Sequence, residues 1–419
     1  MTRLPRSVLG MAIDTLPAAT APTTTVAPPK LVSRALLLRF VSVIGSSIGF
    51  YLPLSVMPMF ADQSGSGGGA GLATVTLLLA TVACELVTPR LVGRIGYRWA
   101  LALGLILLGA PTAVLTFSAD PGVILAVSAV RGAGFAISVV AGGAITAALI
   151  PADRRGEGLA LVGIVSGTPG LLALPAGVWA ATRFGYTPVF VVTTVAPLLA
   201  LLSVPGLPRR TASAPRRAAS APRRGVLGGL RNPALALPAT MFAASTAAVG
   251  VLVTFLPLAT RGQATWVATA ALFIQPASST VSRWIAGRIG DRRGQACLLA
   301  PGLILSAAGM AAFVCTSIPA AVLAGALVFG TGFGVLQNAT LTLMYTRVAA
   351  GEEGAVSAIW NAAYDLGMAA GAFCAGLTVT RLGYPATFVL TAAALLPALV
   401  LVRRDRNAAD PATAARRLA

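Results

Sequence analysis

Asp365 and Asn361 stand four residues apart in "WNAAYDLGMAAG", inside a run from 354 to 379 that carries no other charge. If the segment is helical, that spacing puts both side chains on one face. A carboxylate in such surroundings suits reversible protonation, because desolvation favours the neutral acid while a nearby cation favours the carboxylate. A permanent ion pair, or a latch onto the basic segment 90–98, would use the same residue without proton exchange. Arg131 in "VRGAGFAISVV" poses the complementary case, ten residues into an uncharged run from Pro121 to Pro151. An arginine at the centre of a membrane helix costs roughly 3 kcal/mol on insertion scales, and such residues mark function by default. Glu85 lies near the end of another apolar run, where snorkelling or pairing to Arg39 or Arg90 would satisfy it. It ranks second to Asp365 as a proton carrier. Gln275, Gln337, Asn338, Trp360 and Tyr364 complete the polar set able to touch a substrate. Hydrogen bonding between helices is an equal use for each amide.

Other chemistries are excluded by missing residues. The chain has no histidine, so His-based triads, His metal sites and His proton relays are ruled out. Lys30 is the only lysine, so the GxxxxGK[ST] phosphate loop cannot be built, and "GSGGGAG" at 65–71 reads as a flexible loop. Cys84, Cys297, Cys315 and Cys374 lack a C-x-x-C spacing and read as small packing residues. No enzyme activity, metal or organic cofactor is expected; energy would come from a proton gradient.

The elements that must position these groups follow from composition. Of 419 residues, 56% are hydrophobic and 10% charged, with mean hydropathy +0.84; soluble domains carry about 25% charged residues. Runs of the length that crosses a hydrocarbon core, about 20 residues, recur near 36–57, 68–89, 98–118, 121–150, 157–181, 186–204, 233–258, 264–286, 295–314, 318–346, 354–379 and 384–402. The expected fold is an all-α membrane protein of twelve transmembrane helices. The net charge of +19 is a topology signal: with both termini cytosolic, 26 of the 31 basic residues fall inside, and only Arg183, Arg261 and Arg381 fall outside. A nucleic-acid footprint is not required. The expected setting is the plasma membrane, crossed many times by a chain that functions as a monomer.

An internal repeat divides the chain. An offset of 198 residues brings "GAGFA" at 132–136 onto "GTGFG" at 330–334 and "RFGYTPVF" at 183–190 onto "RLGYPATF" at 381–388. It also aligns Gly96 with Gly294 and Gly156 with Gly354, while "YLPL" at 51–54 meets "FLPL" at 255–258 at an offset of 204. Two pseudo-symmetric six-helix bundles are therefore expected at 34–204 and 233–403. A Pro/Thr/Ala-rich cytosolic tail occupies 1–33, where "VLGMAI" is too short for a secretion signal. A basic linker containing "SAPRRAASAPRR" spans 205–232, and a second tail follows at 404–419.

Two six-helix halves, a long middle loop and "GRIGDRRG" at 287–294 resemble the major facilitator superfamily over residues 34–403. In that family the loop motif ties helix ends on the cytosolic side, which carries over to Gly287, Asp291, Arg292 and Gly294. The first-half copy keeps Gly96 and Arg98 but has Pro89 and Gly93 where the pattern has glycine and aspartate. "RGAGFA" resembles the family's motif in span 4, where a membrane arginine is linked to proton transfer in proton-coupled members. The repeat mate of Arg131 is Phe329, so the fold alone does not demand the arginine; a buried guanidinium bonded to backbone carbonyls is the packing alternative. In span 5, Gly167, Pro169, Gly170, Pro175 and Gly177 resemble, loosely, the Gly/Pro motif of the family's antiporters. The resemblance implies a secondary transporter working by alternating access, with the lipid bilayer, protons and a small molecule as partners. Proton-coupled export of amphipathic drug-like or secondary-metabolite molecules leads; proton symport or facilitated import of a metabolite is the alternative, and a non-transporting membrane protein comes last. A single accessible acid would favour a cationic substrate.

Overall fold

The computed structural model describes residues 33–63, 69–150, 155–208, 232–264, 266–348 and 353–409. The tail at 1–32, most of the Gly-rich loop and the arginine repeat of the linker lie outside the described residues. Every regular element is helical. The long helices are α1 (Arg34–Tyr51, continued by Val56–Gln63), α2 (Gly69–Ile95), α3 (Tyr97–Gly109), α4 (Pro121–Leu149), α5 (Arg155–Phe184) and α6 (Tyr186–Ala200) in the first half. In the second they are α7 (Pro233–Ala259), α8 (Trp266–Arg293), α9 (Leu299–Ala312) and α10 (Pro319–Thr346). Glu353–Leu395 then breaks at Gly383 into α11 at 353–382 and α12 at 384–395, with Ala398–Ala409 continuing α12.

Ten helical stretches among the described residues are long and apolar enough to cross a membrane, the last of them spanning both α11 and α12. The helix α8 is long enough but less apolar, because Gln275, Arg283, Arg288 and Asp291 interrupt it. Starts are set by local chemistry. Proline occupies the first turn of α4, α7 and α10, where its missing N–H removes no bond. Asp120 and Asn232 cap α4 and α7 by accepting from the Val123 and Ala234 amides, each at 3.1 Å.

The repeat recurs in the backbone. The four glycines with positive φ are Gly96, Gly185, Gly294 and Gly383, two pairs at the offset of 198, each where one helix turns directly into the next. A left-handed φ is costly for any residue with a Cβ. Close approach repeats too: a Cβ on Gly132 would strike the Leu77 carbonyl, and one on its mate Gly330 the Gln275 carbonyl, itself the mate of Leu77. Small residues at such crossings let backbones touch, which is how helices associate when lipid offers no hydrophobic drive.

At one end of the bundle the halves are tied together. Ser55 donates to the Val253 carbonyl at 2.8 Å, the Thr74 and Thr254 hydroxyls lie 3.2 Å apart, and Gly71 abuts the Ala372 carbonyl. Arg261, just beyond α7, pairs with Asp62 at 2.5 Å and donates to the Met59 carbonyl at 3.2 Å. This end lies opposite Gly96 and Gly294. At the Gly96 and Gly294 end, the helix continuing α12 runs past the expected boundary at 403, because Asp405 is buried and takes both terminal nitrogens of Arg347 at 2.6 and 2.7 Å.

Candidate functional site

Between the halves is a cavity of about 300 Å³. Phe50, Tyr51 and Leu54 of α1, Leu78 and Glu85 of α2, and Phe135 and Val139 of α4 form its first-half wall. Arg283 of α8, Gln337 of α10 and the α11 face carrying Trp360, Asn361, Tyr364, Asp365 and Met368 form the other. The spacing of Trp360, Asn361, Tyr364, Asp365 and Met368 is the i, i+1, i+4, i+5, i+8 pattern of one helix face. So Asp365 and Asn361 do share a face, and that face looks into the cavity.

Aromatic rings build two of the walls. Phe50 stacks on Phe135 with centroids 3.7 Å apart and planes inclined by 17°. In the second half Phe242 stacks on Trp360 at 4.3 Å, and Tyr364 lies 6.3 Å from Trp360. Trp360 Nε1 donates to Thr340 Oγ1 at 3.2 Å, which fixes the indole. Gln337 Oε1 accepts from Ser279 Oγ at 3.3 Å, holding the amide at the cavity edge.

Glu85, Asp365 and Arg283 differ from these neighbours: among the described residues none of the three has a hydrogen bond or ion pair. Three unpaired ionisable groups facing one partly aromatic cavity are expensive unless a proton, water or a ligand completes them. Among the described residues, neither Arg39 nor the 90–98 segment forms an ion pair with Asp365 or Glu85. Arg39 is buried and donates to the Gly142 carbonyl at 3.1 Å, Thr146 Oγ1 at 3.0 Å and Ser42 Oγ at 2.7 Å, tying α1 to α4. Its guanidinium occupies the space a Cβ on Gly142 would need.

Arg131 is fully buried, and its Nη2 donates to the Gly49 carbonyl of α1 at 2.9 Å. Its Nε has no partner among the described residues. It does not line the cavity; it stands behind it, gripping α1 one residue before Phe50. The arrangement is the carbonyl-bonded geometry that the packing alternative describes. Gln275 is buried within α8, and Asn338 lies where a Cβ on Gly287 would meet its Nδ2 at 3.5 Å and has an unpartnered Oδ1, so both amides lie between helices away from the cavity. A Cβ would fit at Gly287 at ordinary contact distance, so the close approach expected there does not depend on glycine; Asp291 is exposed and Arg288 stacks on Trp284 at 3.8 Å.

In α5, a Cβ on Gly177 would strike the Leu52 carbonyl and one on Gly170 would lie 3.1 Å from the Tyr51 ring, while nothing lies within 4 Å of a Cβ on Gly167. Pro169 and Pro175 interrupt the same helix. The proline-bent segment therefore bears on the part of α1 that lines the cavity.

Arg283 is the cavity residue that the sequence does not single out, because by charge it joins the basic cluster at 283–293 counted among the 26 inside. The available signal was its distance from the end of α8: ten residues, about 15 Å at 1.5 Å per residue.

A model of the Major Facilitator Superfamily matches residues 39–372, and again 259–418. The chain is 33% identical over 288 residues to the chloramphenicol resistance protein of Streptomyces lividans, covering 64% of this chain and 70% of that one. Its fold is similar to that of the nucleoside transporter NupG, with a TM-score of 0.69 at 13% identity over 90% of this chain and 98% of NupG. A bacterial homologue of the human lysosomal transporter Spinster, in an inward-facing and unoccupied conformation, gives a TM-score of 0.70 at 13% identity, covering 89% of this chain and 95% of the other. Matched over most of its length by the family model and sharing the fold of solved transporters, this multi-pass membrane protein belongs to the Major Facilitator Superfamily of small-molecule transporters.

Proposed function

We propose that this secondary transporter exports amphipathic small molecules in exchange for protons, and that Asp365 carries the exchanged proton with Glu85 as its partner across the cavity. The carrying observation is the pair of carboxylates, one from each half, unpaired within one cavity walled by Phe50, Phe135, Trp360 and Tyr364. Phe50, Phe135, Leu54, Leu78, Val139 and Met368 suit the lipophilic body of a ligand, and the polar groups of the same lining, Glu85, Arg283, Gln337, Asn361 and Asp365, suit its polar end, which together favour an amphiphile. The end tied by Arg261 and Asp62 is the outer end in this reading, which makes the described state inward-facing. Rocking of the halves would open that seam, admit a proton to Asp365 from outside and release the substrate; the return would deliver the proton to the cytosol. A ligand shifts such an equilibrium only through differential affinity for the two states, and a charge that appears and disappears with the proton supplies the difference. Arg131 is assigned a positioning role, holding α1 so that Phe50 and Tyr51 face the cavity. The name of the Streptomyces relative, a chloramphenicol resistance protein, favours export over import.

Everted membrane vesicles with an acid interior test the proposal. Addition of a transported amphiphile should dissipate the gradient with the unmodified protein and not with Asp365→Asn. Full substrate-driven dissipation by Asp365→Asn would remove Asp365 from the mechanism.

A further inference from the structure

Among the described residues, Arg283 is the one cation in the cavity lining. The other arginines packed among the helices are occupied: Arg39 by Gly142, Thr146 and Ser42, Arg131 by Gly49, and Arg347 by Asp405 and the Ala234 carbonyl. Arg283 has no such bond among the described residues, and its side chain is open to the cavity. A guanidinium presents five donors in a planar fork, so an unoccupied one in a binding cavity is a ready receptor for an acceptor group on a ligand.

Charge arithmetic points the same way. With Glu85 and Asp365 both ionised, Arg283 leaves the cavity at −1 where it would otherwise be −2; with one of them protonated, it leaves zero where it would otherwise be −1. In every protonation state Arg283 makes the site one unit less attractive to a cation and sets a like charge beside it. The expectation of a cationic substrate, drawn from a single accessible acid, leaves out this side chain, which the sequence alone does not place in the site.

We infer that Arg283 determines the substrate class: neutral or zwitterionic amphiphiles, with a flat apolar body between the Phe50 and Phe135 wall and the Trp360 and Tyr364 wall, and a carbonyl, nitro or carboxylate oxygen on the guanidinium. Gln337, in the same lining and held through its Oε1 by Ser279 one turn before Arg283, can add an amide donor. Permanent lipophilic cations are disfavoured by the same residue, since specificity is a difference of affinities and repulsion contributes to it as much as attraction. The inference rests on the proposed cavity being the transport site.

Equilibrium binding to the purified full-length protein tests it, with chloramphenicol as the neutral aromatic probe and tetraphenylphosphonium as the permanent cation. The unmodified protein should bind the neutral probe and disfavour the cation. Arg283→Gln should weaken the neutral probe about tenfold or more, the effect of losing one charge-assisted hydrogen bond, and should bind the cation better. Arg283→Lys keeps the charge and loses the fork, so it should still reject the cation while weakening the neutral probe. Equal binding of both probes by the unmodified protein, binding of neither, or an unchanged preference in Arg283→Gln would overturn the inference. Proton coupling is read separately, in vesicles: a probe preference that follows residue 283 without gradient dissipation would sink proton exchange and leave the assignment of Arg283 standing.

Discussion

Asp365 and Arg347 illustrate two fates of charge in this chain. Asp405 takes both terminal nitrogens of Arg347, which also donates to the Ala234 carbonyl, with the carboxylate 1% exposed and the arginine side chain 17% exposed. Removing one partner of such a pair leaves a buried charge uncompensated, so Asp405→Ala should lower stability by roughly 3 to 5 kcal/mol. Thermal unfolding in detergent would show it, and a melting point unchanged from the parent protein would argue that the pair is incidental. Asp365, by contrast, is held without a partner among the described residues, which is the condition a proton carrier needs. Arg131 lies between these cases. Because its bond goes to the Gly49 carbonyl, Arg131→Lys, which retains a charge but not the fork, should reduce transport several-fold through misplacement of Phe50 and Tyr51, while leaving proton release by Asp365 intact. Equal loss of both activities would instead place Arg131 in the proton path. The sequence made Asp365, Glu85, Asn361, Trp360, Tyr364 and Gln337 legible, because polar residues in apolar runs have few uses. It could not orient Gln275 and Asn338, which turn between helices, since one residue of register decides which neighbour a helical side chain meets.

At the scale of elements, small residues decide where helices touch. Gly132→Ala would press a methyl group onto the Leu77 carbonyl and Gly330→Ala onto the Gln275 carbonyl. Overpacking of this kind typically costs about 1 to 3 kcal/mol, so both variants should melt earlier, and by similar amounts, because the contacts are repeat mates. Gly167→Ala, with open space at the same position, should be neutral or slightly stabilising, as alanine favours helix. The reverse ranking in a melting series would mean that these crossings relax freely. The outer seam permits a second test. Asp62 and Arg261 are partly exposed, so their pair is worth little alone. Asp62→Asn should nonetheless raise the outside labelling of a cysteine placed at Leu54, in a cysteine-free background, by about twofold to fivefold, a population change of roughly 0.5 to 1 kcal/mol. Unaltered labelling would show that Ser55, Thr74 and Gly71 hold the seam without the ion pair. Element boundaries were legible because apolar length and proline position both mark them. The aromatic stacks were not, because Phe50 and Phe135 lie 85 residues apart and meet only once α1 and α4 pack.

The molecule as a whole repeats one design twice and departs from symmetry where function is proposed. Positive-φ glycines recur at 96 and 294 and at 185 and 383, and the touching pairs recur with them. Arg131 has Phe329 as its mate, and Asp365 and Arg283 have Gly167 and Glu85. The last pairing is informative: the repeat places Glu85 and Arg283 at equivalent positions on α2 and α8, so the two halves present opposite charges to one cavity. That symmetry was available from the offset of 198, yet the opposition emerges only when both helices are seen to line the same space. Asp365 then adds the acid that the symmetry does not supply. The most direct test of proton exchange is proton release by the purified protein in weakly buffered detergent solution on addition of a bound amphiphile. The account predicts that substrate binding releases a proton from the unmodified protein and none from Asp365→Asn at matched occupancy; binding without release, or equal release from the variant, would contradict it.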